Sequence, residues 1–241
     1  MTDGPDRTDG ERPADVRLWL VRHGETAWAR VGRHTGRTDL PLTPHGEEQA
    51  AALAPRLAGV PFAAVRCSPL QRARRTLELA LPDRSPVLDD DLAERDYGSA
   101  EGRTRAELRQ ADPTWDSWRT PVPGAETIAQ VGDRADRAIA AALRDAGPVP
   151  PAPPAREAGG PRPGPAVSDV PAEAGGLRGV GDPAGRDVLL VAHGHLLRIL
   201  AARWLGQPAT FGEHLPLAVA ALSVLGTDRG RPVLLRWNDA R

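Results

Sequence analysis

The sequence predicts an α/β fold, a three-layer α/β/α sandwich with a mainly parallel central sheet. Short apolar runs typical of strands alternate with longer stretches whose apolar residues recur at helical spacing. This alternation favours a parallel sheet covered by helices on both faces. Two of the predicted strands also run into a His-Gly turn. Because ligands collect at the carboxyl ends of parallel strands, these turns predict where a site would lie.

Composition and charge narrow the function classes. The 241 residues include 31 basic and 32 acidic side chains, and 40% of them are hydrophobic. This apolar share supports a sizeable core, yet no run approaches the roughly 20 apolar residues needed to span a bilayer. We therefore expect no membrane association. The near-neutral charge, without a basic motif, argues against a nucleic-acid partner.

Cysteine usage and the first residues add further expectations. The single Cys67 excludes an intramolecular disulfide and a zinc site built from several cysteines. The first residues lack an apolar signal segment, so we expect a cytoplasmic protein. Residues 1–15 are polar and without periodicity, which predicts a disordered tail ahead of a single domain over residues 16–241.

The first predicted unit is a strand followed by a helix. Residues 16–21 form a short apolar run with the pattern of a buried strand. Further on, Thr43 is a capping residue and Pro44 suits the first position of a helix. They predict a helix that continues over residues 47–57, where the apolar side chains share one face.

The second unit repeats this pattern. Residues 62–67 are predicted to form a strand, and Ser68 and Pro69 again supply a helix cap and a first-turn proline. The helix is predicted to run to about Ala80. Residues 87–88 are the candidate for a short third strand.

The middle of the chain contains two irregular segments. Residues 89–126 carry a tyrosine, two tryptophans and several Gly and Pro, which predicts an inserted cap with one helix around residues 103–110. Thr127 then caps a predicted amphipathic helix that ends before Gly147. Between residues 147 and 185, 19 of 39 residues are Gly or Pro. Such a stretch cannot bury enough surface to fold alone, so we predict a flexible insertion.

The last elements complete the predicted sheet. Residues 187–192 are predicted to form a second buried strand that leads into a His-Gly turn, and an Ala/Leu-rich helix follows to Trp204. Residues 218–225 and 233–237 are predicted to be the two closing strands.

Five residues predict a phosphate pocket. His23 and His193 follow two different strands and should meet at one edge of the sheet. Arg22 precedes the first of them, and Arg72 lies near the start of a helix, whose free amide groups favour anions. Arginine offers forked donors to phosphoryl oxygens, and histidine can act as a nucleophile or a donor. Glu94 is the candidate acid for protonating a leaving oxygen.

Several spaced motifs, in this order, resemble those of the histidine phosphatase superfamily, which includes the cofactor-dependent phosphoglycerate mutases. They are residues 20–26, 35–36, 42–47, 68–73, Glu94, residues 124–127 and residues 192–194. The resemblance covers about residues 17–206, apart from the Pro/Gly-rich insertion.

The resemblance implies a phosphohistidine mechanism without a metal ion or another cofactor. Neutral His23 would attack phosphorus, and Glu94 would protonate the departing oxygen. Water would then cleave the phosphoenzyme, with Glu94 acting as a base. Arg22, Arg72 and His193 would hold the phosphoryl oxygens while charge develops on them.

The resemblance also implies residues that contact a small phosphomonoester substrate. Thr35 and Gly36 match a loop that closes over the substrate and touches it through a hydroxyl and a backbone amide. Tyr97 matches a substrate-contacting tyrosine, and Gly194 is expected beside the substrate. Arg37 is a candidate contact to a second anionic group, as are two other arginines, Arg105 and Arg119.

Three departures from the mutase pattern favour hydrolysis. Ala29 stands where mutases place an asparagine that binds phosphate, and His195 stands where they usually carry asparagine. The segment 107–124 is shorter than the mutase insertion, so Arg119 lacks the second arginine of the clamp that holds a substrate carboxylate. The loop over residues 32–44 instead resembles sedoheptulose-bisphosphatase and related sugar phosphatases, which implies a phosphorylated sugar.

Three alternatives to a phosphatase remain at this stage. The first is a 2,3-bisphosphoglycerate-dependent phosphoglycerate mutase. The second is a regulatory domain that binds phosphate without turnover. The third is a zinc site formed by His23, His193 and His195, which Arg22 and Arg72 disfavour because they would repel a dication.

Overall fold

The computed structural model describes residues 16–148 and 186–240, which include a six-stranded sheet. The predicted tail over residues 1–15 lies outside the described residues. So does the predicted insertion over residues 147–185, apart from its first two residues. The strands are, in chain order, β1 (Arg17–Arg22), β2 (Phe62–Cys67), β3 (Val87–Leu88), β4 (Asp187–Ala192), β5 (Leu222–Asp228) and β6 (Arg231–Asp239).

The order of the strands across the sheet is β3-β2-β4-β1-β5-β6. β4 is parallel to both of its neighbours, β1 and β2, and β2 is parallel to β3. β5 is antiparallel to β1 and to β6. All the described strands except β5 therefore run in one direction, which confirms the mainly parallel sheet.

Helices cover both faces of this sheet. They are α1 (Ala27–Arg30), α2 (Pro44–Ala51), α3 (Ala54–Leu57), α4 (Gln71–Ala80), α5 (Arg105–Ala111), α6 (Ile128–Asp145) and α7 (Gly194–Trp204). Side chains alternate between the faces of a strand, so Leu18 and Leu20 join one buried cluster with α6 and α7. Trp19 and Val21 join the opposite cluster with α3 and α4. The three predicted layers are thus confirmed.

Two predicted helix boundaries are wrong. The predicted helix over residues 47–57 is two helices, because the chain turns at residues 52–53 between α2 and α3. The second helix does not begin at Ser68. α4 starts at Gln71, with Leu70 as its N-cap and no side-chain cap, since the Ser68 hydroxyl lies 2.7 Å from Nε2 of His193 instead.

The closing strands and the cap also differ in detail from the prediction. β5 starts at Leu222 and not at residue 218, because the preceding residues form a turn in which Ala220 has a φ of 51°. The cap over residues 89–126 contains short 3₁₀ helices at Asp90–Leu92 and Gly98–Ala100 besides α5. None of the helices in the described ranges is long and apolar enough to cross a membrane.

Candidate active site

A cavity of about 180 Å³ lies at the carboxyl ends of β1 and β4. These strands are parallel neighbours, with Arg22 paired to Ala192, so the residues that follow them emerge side by side. Six of the predicted site residues line this cavity: Arg22, His23, Thr35, Glu94, Tyr97 and Gly194. Four others do not form its wall: Gly36, Arg37, Arg72 and His193.

His23 is buried at the base of the cavity and presents an unprotonated ring nitrogen. Its Nδ1 lies 2.7 Å from the carbonyl oxygen of Gly24. A carbonyl oxygen only accepts hydrogen bonds, so Nδ1 carries the proton and the lone pair is on Nε2. Burial holds the pKa of His23 well below its usual value, and the charges of Arg22 and Arg72 lower it further. The ring is therefore neutral and can act as a nucleophile.

Arg22 brings a guanidinium group under the first residue of α7. Its Nη1 donates to the carbonyl oxygen of Leu217 at 2.6 Å, whereas its buried Nε has no hydrogen-bond partner among the described residues. A Cβ added to Gly194 would lie 3.3 Å from Cζ of Arg22, so glycine permits this close approach. An unpartnered buried N–H is uncommon in folded proteins. It is suited to an oxygen of a bound phosphoryl group.

Arg72 and His193 form a fully buried pair, and His193 lies beside His23. Nε of Arg72 donates to Nδ1 of His193 at 3.2 Å, so the proton of His193 is on Nε2, which donates to Ser68. The rings of His23 and His193 have centroids 5.1 Å apart. Burial holds the pKa of His193 well below its usual value, and Arg72 lowers it further. Sequence reasoning assigned Ser68 to a helix cap and missed this role.

The remaining donors of Arg72 hold the loop that lines the cavity. Its Nη1 donates to the carbonyl oxygen of Thr38 at 3.0 Å, and its Nη2 donates to those of Thr35 at 3.3 Å and Gly36 at 2.9 Å. Glu101 accepts the amide groups of Gly36 and Thr38 on the other side. The loop is thus fixed between a guanidinium and a carboxylate. One of the five N–H groups of Arg72 is left unused.

Glu94 places a buried carboxylate at the N-terminus of α7. Its Oε1 accepts from the amides of Arg95 at 2.8 Å and Leu196 at 3.1 Å, and its Oε2 accepts from that of His195 at 3.0 Å. The amide groups and dipole of a helix N-terminus stabilise a negative charge. Three of the four lone pairs of the carboxylate are used, so Oε2 keeps one that can hold a proton.

Arg134 of α6 positions the segment that carries Glu94, and sequence reasoning missed it. The buried guanidinium donates to the carbonyl oxygens of Asp91 at 2.9 Å and Ala93 at 2.8 Å. It also forms two hydrogen bonds of 2.8 Å with the carboxylate of Glu126. The signal in the sequence that could have found it is an arginine on the apolar face of an amphipathic helix.

Tyr97 contacts His195 on the cavity wall. The Tyr97 hydroxyl lies 2.7 Å from Nδ1 of His195. Burial raises the pKa of Tyr97 well above its usual value, so the phenol is neutral. The hydroxyl of Thr35 donates to the carbonyl oxygen of Arg33 at 3.1 Å. Ala29 also lines the cavity, at the position where mutases carry asparagine.

Arg37 lies away from the cavity. Its Nε is 3.8 Å from Oδ2 of Asp96, and more than half of its side chain is exposed. Arg105 and Arg119 also lie outside the cavity wall, where each approaches Asp116. Among the described residues, no group of three or more His, Cys, Asp or Glu side chains could hold a metal ion.

Comparison with known proteins agrees with this architecture. The family model of the histidine phosphatase superfamily (branch 1) matches residues 18–148 and 177–240. An acid phosphatase of Mycobacterium tuberculosis is 36% identical over 217 residues, which cover 89% of this chain and 88% of the relative. Sedoheptulose 1,7-bisphosphatase of Saccharomyces cerevisiae is 33% identical over 215 residues, covering 79% of this chain and 68% of the relative.

Solved structures share the fold. The product of an open reading frame of Mycobacterium tuberculosis superimposes with a TM-score of 0.73 at 32% identity, over 93% of this chain and 98% of that one. An alpha-ribazole phosphatase of Shigella flexneri gives a TM-score of 0.68 at 27% identity, over 93% and 96% of the two chains. The chain therefore belongs to the histidine phosphatase superfamily, and it is a phosphoric monoester hydrolase.

Proposed function

We propose that this enzyme hydrolyses a small phosphomonoester, a sugar phosphate, through a phosphohistidine intermediate and without a metal ion. One observation carries the proposal. Neutral His23 has its lone pair on Nε2 in a cavity whose wall also holds the Glu94 carboxyl group and the unpartnered Nε of Arg22. A nucleophile, an acid and a donor for phosphoryl oxygens thus meet in one small space.

In the first step Nε2 of His23 attacks phosphorus. The N–P bond forms while the bond from phosphorus to the ester oxygen breaks. Protonated Glu94 gives its proton to the leaving oxygen, so an alcohol departs and a carboxylate remains. That carboxylate is stabilised by the amide groups at the start of α7.

In the second step Glu94 acts as the base. It takes a proton from a water molecule whose oxygen attacks phosphorus on the side away from His23. The N–P bond breaks, inorganic phosphate is released, and neutral His23 is regenerated. Arg22 stabilises the negative charge that develops on the phosphoryl oxygens in both steps.

Arg72 and His193 support these steps from beside His23. The positive charge of Arg72 helps to lower the pKa of His23 and so keeps its ring neutral. The one N–H group of Arg72 that bonds neither His193 nor the loop is proposed to reach a phosphoryl oxygen. His193 is held by Ser68 and Arg72 in a single tautomer, which fixes its ring beside His23.

The substrate class is proposed from the loop and from one relative. The loop over residues 32–44 resembles those of sugar phosphatases, and its residues 32–35 line the cavity. Similarity to the sedoheptulose 1,7-bisphosphatase of yeast supports a phosphorylated sugar. Ala29 removes a phosphate donor that mutases have, and this favours loss of phosphate to water over its transfer to a second hydroxyl.

Phosphate release from a panel of substrates tests this proposal. The panel contains sugar mono- and bisphosphates, an aryl phosphate and phosphoglycerates, each assayed with a chelator present and with phosphoglycerate isomerisation followed in parallel. We expect release from a sugar phosphate, undiminished by the chelator and abolished by His23→Ala. Isomerisation without release would show a mutase, phosphate binding without turnover a regulatory domain, and loss of activity with the chelator a metal-dependent enzyme.

A further inference from the structure

Arg198 lies on the cavity wall and forms no ion pair with any residue that the structure describes. It belongs to α7, one turn after His195. Its Nε donates to the carbonyl oxygen of Gly212 at 3.0 Å, and its Nη2 donates to that of Glu213 at 3.1 Å. The guanidinium carbon lies 4.6 Å from the ring centroid of Trp118. These contacts fix the group in place without neutralising its charge.

The carboxylates nearest to Arg198 are engaged elsewhere. Glu213 pairs with Arg119 at 2.5 Å, and Glu94 binds the amide groups at the start of α7. No carboxylate among the described residues lies within 4.0 Å of Arg198. An arginine stays charged in a protein, and a partly buried charge without a counterion costs free energy. Two of its five N–H donors are used, and three are available to a ligand.

His195 adds a second unsatisfied group to the same part of the wall. Its Nε2 is buried and has no hydrogen-bond partner in the described part of the chain, while its Nδ1 lies 2.7 Å from the Tyr97 hydroxyl. When that hydroxyl donates to Nδ1, the ring proton lies on Nε2, which then also presents a donor. Burial holds the pKa of His195 well below its usual value, and the charge of Arg198 lowers it further, so the ring is neutral.

The other arginines that line the cavity already have a role in the proposed reaction or a partner in the protein. Arg22 belongs with the phosphoryl group that reacts. Arg33 also lines the cavity, but it donates to the carbonyl oxygen of Gly102 and lies 3.3 Å from Glu107. Arg198 is thus the cavity arginine that has an unneutralised charge and no part in the chemistry proposed above.

We propose that Arg198, assisted by Nε2 of His195, binds a second anionic group of the substrate. The enzyme would then select phosphomonoesters that carry another phosphate or a carboxylate over those that carry only neutral groups. This inference rests on the proposed phosphatase activity and names the substrate feature that the same cavity recognises.

Two matched substrate pairs test it. Fructose 1,6-bisphosphate and fructose 6-phosphate differ by one phosphate, whereas 3-phosphoglycerate and glycerol 3-phosphate differ by one carboxylate. Phenyl phosphate, which has no second anion, reports the basic activity. We expect the wild-type enzyme to favour the second anion, by kcat/KM, in at least one pair by about 10- to 100-fold, the range for hydrogen bonds to a charged group.

Arg198→Gln removes the charge and should abolish that preference, mainly by raising KM for the doubly anionic substrate. Its kcat/KM for phenyl phosphate should stay within about three-fold of wild type. Arg84→Gln, an exposed arginine outside the cavity, is the matched control and should leave the preference unchanged. Loss in only one pair would identify that anion, phosphate or carboxylate, as the one bound.

Three results would overturn the inference. They are a wild-type enzyme that shows no preference in either pair, an Arg198→Gln variant that keeps the preference, and an equal loss on phenyl phosphate and on the doubly anionic substrates. The first needs no variant, so the test holds even if Arg198→Gln fails to fold. Failure of the proposed phosphatase activity is distinct, because the wild-type enzyme would then release no phosphate even from phenyl phosphate.

Discussion

At the scale of single residues, the surroundings of three histidines keep them neutral. Burial is the main cause of the low pKa of His23, His193 and His195, and neighbouring arginines lower each pKa further. A neutral His23 keeps the lone pair that nucleophilic attack requires. The same arrangement makes the folded state sensitive to acid, because the unfolded chain can protonate histidines that the folded protein cannot.

The stability of the protein should therefore fall as the pH drops below about 6.5. A histidine whose folded pKa lies below its unfolded value of 6.5 binds fewer protons when folded, so the free energy of unfolding rises with pH between the two values. Each of the three histidines should contribute up to about 1.4 kcal/mol per pH unit in that window. Urea unfolding at pH 7.5, 6.5 and 5.5 measures the effect.

His45→Gln is the control for this experiment. The ring of His45 is exposed, so this variant measures what an exposed histidine contributes to the pH dependence. A free energy of unfolding that is equal or higher at pH 5.5 than at pH 7.5 would contradict neutral, buried histidines.

The sequence could predict part of the candidate site but not all of its contacts. His23 and Arg22 follow from the end of an apolar strand, a local pattern. The sequence did not show that Arg72 bonds the loop carbonyls or that Ser68 bonds His193, because these contacts join residues that are far apart in the chain. Arg198 was missed for the same reason, since its place depends on how the cap packs Trp118 against α7.

At the scale of elements, the helix α6 supports the site through two arginines that differ in burial. Arg134 is buried and bonds the carbonyl oxygens of the segment that leads to Glu94, as well as the Glu126 carboxylate. Arg137 is exposed and pairs with Asp91 of the same segment. The two residues allow the contribution of a buried contact to be compared with that of a surface contact.

Arg134→Leu should be strongly destabilising. It would leave the Glu126 carboxylate and several carbonyl oxygens without partners, which costs about 3–5 kcal/mol. Displacement of the Glu94 segment should also lower kcat. Arg137→Leu should cost only about 0–1 kcal/mol, as is usual for exposed ion pairs. Urea unfolding and steady-state kinetics measure both variants. Equal losses of stability would contradict the larger contribution of the buried contact, and an unchanged kcat of Arg134→Leu would contradict its positioning role.

Elements with strong local signals were predicted well. The bounds of β2 and β4 match the strands predicted at residues 62–67 and 187–192. Thr127 caps α6 through a capping box with Gln130. Predictions were wrong where tertiary contacts outweigh local preference. Ser68 bonds His193 instead of capping a helix, and β5 begins only after a turn at Ala220.

At the scale of the whole molecule, the two described parts of the chain meet in the sheet. β4 lies between β1 and β2, although a long segment separates it from α6 in the sequence. The ends of the two parts are also in contact, because Nη2 of Arg186 donates to the carbonyl oxygen of Gly147 at 3.1 Å. A short connection could therefore join them.

Replacement of residues 149–185 by a short Gly/Ser linker should leave the site intact. Since the flanking residues already touch, the linker need not strain the sheet, and the entropy of loop closure changes only with the logarithm of loop length. We expect the kcat and KM of this variant to be within about two-fold of those of the full chain when both are measured with one sugar phosphate. A folded variant that has lost its activity would show that the segment takes part in function.

Trapping of a phosphoenzyme tests the central claim most directly. The enzyme is mixed with an aryl phosphate carrying a radioactive phosphoryl group, quenched in alkali within milliseconds and mapped by mass spectrometry. The proposed mechanism predicts a label on His23 that is stable to alkali and labile to acid, and that is absent from His23→Ala. Hydrolysis without such a label, a label on another residue, or turnover by His23→Ala would contradict it.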